Sequence, residues 1–122
     1  MSLWQKIKAF FFGPKKPSYL NPQVKDGVWY AKDSSGNYLL GIDNSVNEQM
    51  GEITFVDFPN NETKLTSGDD LLDVEGDKAV VTLKSPISGT VISRNQDLGK
   101  DEKVLNKPDP KVNWILKLSE KN

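Results

Sequence analysis

The sequence predicts an all-β domain, a barrel-sandwich hybrid: an antiparallel sandwich of barrel-like form with one or two short helices. Three observations carry that prediction. Short runs of branched and aromatic residues recur along most of the 122-residue chain. Turn residues punctuate them at intervals of about eight to twelve positions, the spacing of sandwiches and small barrels. No repeat of solenoid length is present, so the strands must close on one another within a single core.

The elements follow in order. Residues 1–17, MSLWQKIKAFFFGPKKP, form an N-terminal extension and linker, and residues 18–122 the domain proper. In the extension Leu3, Trp4, Ile7 and Phe11 lie near helical spacing, with Lys6 and Lys8 off that face. This pattern allows an interfacial amphipathic helix and membrane contact, a helix packed on the domain, an oligomer contact, or a poorly ordered tail. Its apolar part is too short and too interrupted by lysine for a signal peptide. Gly13, Pro14 and Pro17 then oppose regular structure.

Residues 28–31, VWYA, read as a strand. Residues 33–37, DSSGN, are a turn cluster, and 38–42, YLLGI, resume the strand to make a hairpin. Asp43, Asn44 or Ser45 caps a helix of one or two turns that Gly51 ends, with Val46 and Met50 on its buried face. Residues 52–58 alternate, which predicts Ile53 and Phe55 on one side and Thr54, Val56 and Phe58 on the other; Pro59 stops the strand. Residues 71–75 and 79–83 are strands flanking Gly76-Asp77-Lys78. Ser85 to Gly89 is a sharp corner, residues 90–93 a further strand, 105–110 a turn-rich region, and 114–118 a last strand with Trp114, Leu116 and Leu118 on one face. Trp29 and Trp114 are read as core residues.

Composition narrows the function. With 16 basic and 17 acidic residues the net charge is −1, which gives no footprint for nucleic acid. There is no cysteine and no histidine. That removes thiol nucleophiles, thiolate metal sites, the commonest metal ligand and the commonest general base near neutral pH. We therefore expect no catalytic and no metal-binding residues. The carboxylates Asp57, Glu62, Asp69, Asp70, Asp73, Glu75 and Asp77 are spread over turns and strand ends, and they read as solvated or as an acidic face that partner enzymes recognise. Chemistry is then expected from something added to the chain. The candidate position is Lys78, at the centre of a hairpin turn between Glu75-Gly76-Asp77 and Ala79. A turn lysine is usually only a solvated charge. Here it is placed to project its amine far from the core.

At this point the chain resembles the H proteins of the glycine cleavage system, within the lipoyl-domain superfamily. The resemblance rests on residues 40–59, on 74–79 with 85–91 and Asn95, and on 105–110 with 114–118, and it covers about residues 28–118. It implies that Lys78 carries lipoate in amide linkage, flanked by Glu75, Gly76, Asp77 and Ala79. The lipoyl-lysine would be a swinging arm that shuttles an aminomethyl group and reducing equivalents between enzymes. The implied partners are a lipoate ligase or lipoyl transferase, glycine decarboxylase, aminomethyltransferase and dihydrolipoyl dehydrogenase, in the cytoplasm. Biotin is the competing attached group, but its acceptor turns carry methionines beside the lysine, and the only methionines are Met1 and Met50. The chain departs from the pattern at Gly76-Asp77, at Lys111 and in lacking histidine. Two alternatives follow: an H-like lipoylated protein serving lipoate relay or an ADP-ribosylation-linked redox response, and an unmodified β-domain that binds or tethers through residues 1–17.

Overall fold

The computed structural model describes residues 22–101, 105–106 and 109–120. The N-terminal extension and its membrane reading lie outside these residues. Nine strands are described: β1 (Gln23–Lys25), β2 (Val28–Lys32), β3 (Asn37–Ile42), β4 (Ile53–Asp57), β5 (Lys64–Leu65), β6 (Asp70–Gly76), β7 (Val80–Lys84), β8 (Gly89–Arg94) and β9 (Trp114–Ser119). Two short helices join them, α1 (Asn44–Met50) and α2 (Pro110–Asn113).

The strands form two sheets, one six-stranded in the order β1-β2-β3-β9-β8-β5 and one three-stranded in the order β4-β6-β7. Every pairing is antiparallel. Among the described residues neither sheet closes on itself, so the architecture is an open sandwich rather than a closed barrel. One hydrophobic cluster takes side chains from both sheets and α1: Val28, Leu40, Ile42, Leu116 and Leu118 from the large sheet, Ile53, Val56, Leu72, Val74 and Leu83 from the small one, and Val46 and Met50 from the helix. Burying a residue of this size removes about 1.5–3 kcal/mol worth of apolar surface from water.

Local chemistry explains the elements that the sequence predicts well. The Asp33 carboxylate accepts from the Ser35 and Asn37 N–H groups, and Gly36 takes a positive φ of 85°, which closes the β2–β3 hairpin. Asp43 caps α1 by accepting from the Ser45 N–H, and Gly51, at φ 76°, ends it; Val46 and Met50 are buried as expected.

The differences have physical causes. β4 does not alternate throughout: a bulge between Ile53 and Phe55 leaves Thr54 and Phe55 both exposed and buries Val56 opposite Val74. Phe55, which the alternation places on the same side as Ile53, therefore faces solvent while Ile53 is buried. β1 and β5 have too few residues to show a period. The turn-rich stretch before β9 holds α2, whose N-cap Asp109 accepts from the Lys111 N–H. On β9 Ile115 is fully buried together with Leu116 and Leu118, while Trp114 is only half-buried. A register shift opposite Leu40 and Gly41 breaks the simple alternation there. Trp29 is buried, as expected, with its ring against Gly41: a Cβ at that glycine would lie 2.1 Å from the ring.

Candidate functional site

The site begins with the β6–β7 hairpin. β6 and β7 pair from Asp70 opposite Lys84 to Glu75 opposite Val80. Beyond that pair the Gly76 N–H donates to the Ala79 carbonyl at 3.0 Å, and Asp77 and Lys78 turn the chain. Two-residue hairpin turns usually need positive φ to match the twist of the strands. Neither Asp77 nor Lys78 has it. The turn is held from outside instead. The Asp77 N–H donates to the Glu52 carbonyl, and the Lys78 N–H donates to the Met50 carbonyl, each at 3.0 Å. Met50 is the last residue of α1 and Glu52 lies in the short connection to β4, so the C-terminal end of the helix is a bracket for the lysine turn.

Two glycines allow this approach. A Cβ on Gly76 would lie 2.6 Å from the Met50 carbonyl oxygen and 2.9 Å from the Met50 Cβ. A Cβ on Gly51 would lie 3.3 Å from the Asp77 Cβ and 3.4 Å from the Lys78 Cγ. The turn thus does not reach freely away from the body of the protein, as its sequence alone suggests. Its backbone is docked, and only the side chains are free.

Lys78 is exposed, as are Glu75, Asp77 and Ala79, while Gly76 is half-buried. Among the described residues the Lys78 amine has neither a hydrogen bond nor an ion pair. A fixed backbone carrying an unpaired, solvent-facing amine fits covalent attachment of an acyl group: the nucleophile is accessible to a second protein, and acylation breaks no native contact. The five predicted residues therefore sit together on one turn. What the sequence did not indicate is the bracket formed by Met50, Gly51 and Glu52.

A shallow groove runs beside β7, starting at Val81. It is walled by Val81 and Leu83 on one side and by Val24, Asp26 and Gly27 of the β1–β2 hairpin on the other, with Glu48 of α1 at its rim. Elsewhere the polar groups are structural. Asn106 accepts from the Ile53 N–H at 2.9 Å and donates to the Ile53 carbonyl at 3.0 Å, tying the start of β4 to the segment before α2. Asn95 donates to the Trp114 carbonyl at 2.9 Å. The Glu120 carboxylate hydrogen-bonds Lys32 and raises its pKa, an effect on an exposed pair far from the lysine turn. Among the described residues no group of three or more acidic side chains is arranged to hold a metal ion. No described helix is long and apolar enough to cross a membrane.

Comparison with known proteins agrees with this architecture. The family model described as "Glycine cleavage H-protein" matches residues 18–122. A probable glycine cleavage system H protein of Thermococcus kodakarensis is 35% identical over 107 residues, covering 82% of this chain and 79% of that protein. The glycine cleavage system H protein of Listeria welshimeri is 32% identical over 91 residues, covering 75% and 73%. A crystal structure of a glycine cleavage system H protein from Mycobacterium marinum superposes with a TM-score of 0.71 at 20% identity, over 88% of this chain and 87% of that one, which shows a shared fold. With the family model spanning every described strand of the β-sandwich and its lysine turn, the chain belongs to the glycine cleavage H-protein family.

Proposed function

We propose that this protein is the lipoyl carrier of a glycine cleavage system, and that Lys78 is the residue that bears the lipoyl group in amide linkage. It acts as a carrier and not as an enzyme. The observation that carries the reading is the bracketed turn: a lysine whose main chain is hydrogen-bonded to Met50 and Glu52 while its amine stands unpaired in solvent. Joining a free carboxylic acid to an amine as an amide needs an activated acyl donor, so a separate enzyme must act on Lys78.

Once attached, the lipoyl dithiolane supplies the redox and group-carrying chemistry that a chain without cysteine or histidine lacks. The protein's own residues do three things. Gly76 and Gly51 permit the turn to seat against α1, which fixes the origin of the arm. Asp77 and Glu75 keep the surroundings of the lysine polar and exposed, so the arm does not collapse onto the turn. Val81 and Leu83 open the groove beside β7 and present an apolar surface three or more residues along the chain from Lys78. The partners on this reading are a lipoate ligase or lipoyl transferase, and then glycine decarboxylase, aminomethyltransferase and dihydrolipoyl dehydrogenase in the cytoplasm. Residues 18–122 make the carrier domain, and residues 1–17 an extension outside it.

The test is mass spectrometry of the intact chain and its peptides, purified from cells supplied with lipoate. A lipoyl group on the peptide containing Lys78, absent from Lys78→Arg with an unchanged melting temperature, is the expected result. An unmodified Lys78 beside a competent ligase overturns it.

A further inference from the structure

Among the described residues nothing covers the outer face of the three-stranded sheet, and that face is uneven in character. Register places Phe55, Glu75 and Val80 in one row across β4, β6 and β7, and Asp57, Asp73 and Thr82 in the next row. Phe55 is 50% exposed and Val80 72%. Adjacent strands lie about 4.8 Å apart, so the two apolar side chains straddle Glu75 at roughly twice that distance. A single exposed apolar residue is ordinary. The charges beside these two are not neutral for the fold. Asp57 and Asp73 stand directly opposite each other, and like charges in that relation destabilise a strand pair. Thr82 donates to the Asp73 carboxylate at 2.7 Å and fixes its direction, but it supplies no positive charge. Asp77 and Glu52 extend the acidic edge at the lysine turn. The cation at the far end of the face, Lys84, is already paired with Asp70.

We propose that this face is the docking surface for the enzyme that acylates Lys78, and that the enzyme meets it with an apolar centre rimmed by arginine or lysine. The proposal rests on Lys78 being the attachment point. Position supports it: Val80 is two residues from Lys78 on the same strand end, so an enzyme that closes over the amine reaches Val80 and Phe55 first. Charge supports it as well. A cationic rim relieves the repulsion between Asp57 and Asp73 only in the complex, and the acidic field speeds encounter with a basic partner.

The experiment uses the full chain, a purified lipoate ligase, lipoate and ATP, and follows lipoylation of Lys78 by mass. Two variants are compared with wild type, Phe55→Ser/Val80→Ser and Asp57→Asn/Asp73→Asn. Both are expected to raise the KM for the carrier about tenfold or more with kcat kept, a loss of binding rather than of chemistry. Raising salt should weaken the wild type steeply and the Asp57→Asn/Asp73→Asn variant little. That variant should also melt at a higher temperature than wild type, which separates docking from a merely structural role. Wild-type KM in both variants overturns the docking face while leaving Lys78 as the attachment point. A wild type that never gains lipoate overturns both. Concentration-dependent dimers dissolved by Phe55→Ser/Val80→Ser assign the face to a second copy of the chain and likewise overturn the proposal.

Discussion

At the scale of single residues, Gly76 decides whether the lysine turn can be built. Its φ is not positive, so an alanine there meets no backbone strain. Replacing glycine by alanine at an unstrained position usually stabilises by about 0.4–1 kcal/mol through the unfolded chain. Here the new Cβ would lie 2.6 Å from a main-chain oxygen that cannot swing aside, and overpacking of this kind costs about 1–3 kcal/mol. The clash wins. We expect Gly76→Ala to lower the melting temperature by several degrees and to reduce lipoylation of Lys78 more than the stability loss explains, because the turn loses its seat on Met50. Calorimetry together with the mass assay checks both. The hairpin turn at Lys78 was legible in the sequence, because turn residues between two branched runs are a local signal. The bracket was not, since the carbonyls of Met50 and Glu52 look like any others until α1 and β6 pack together.

At the scale of elements, β4 shows how one tie sets a register. The Ile53 N–H and carbonyl both bond the Asn106 side chain, which also accepts from Asn47 of α1 at 3.0 Å. Asn106 therefore stands in for a neighbouring strand at the point where β4 leaves its bracket and bulges. Asn106→Ala leaves two main-chain groups of a fully buried residue without these partners. The expected loss is about 1–3 kcal/mol. Asn106→Asp keeps the acceptor for the Ile53 N–H but sets a carboxylate oxygen against the Ile53 carbonyl, and it should not restore stability. Chemical denaturation of the three proteins at equal m-values tests this. The sequence showed β4 as a strand and α1 as a helix because their periods and caps are local. It could not show the bulge at Phe55, which depends on Asn106 and on the pairing with β6. That single displaced residue separates Phe55 from the side it was expected to share with Ile53 and makes it part of an outer face.

At the scale of the whole molecule, order along the chain and order in space disagree in one place that matters. β9 is the last strand in sequence, yet it lies in the middle of the six-stranded sheet between β3 and β8. Ile115, Leu116 and Leu118 are each no more than 1% exposed and pack into the cluster shared by both sheets. The large sheet cannot be completed before the end of the chain is available, and such non-local pairing makes folding slow relative to a helical domain of equal size. The stability at stake is large against the total. A domain of this kind has about 5–15 kcal/mol in all, and a buried leucine replaced by alanine typically removes about 2–5 kcal/mol. We expect Leu116→Ala to fold with a much reduced melting temperature, and a chain stopped after Asn113 not to fold. The truncated chain leaves β3 and β8 without their common partner and opens the core along its length. Near-ultraviolet circular dichroism of the truncated chain should be flat, and its Lys78 should lose the bracket together with the sheet. A cooperative melt from that chain would mean that β2, β3 and α1 hold the lysine turn without the centre of the large sheet, and that the sandwich is two separable units rather than one.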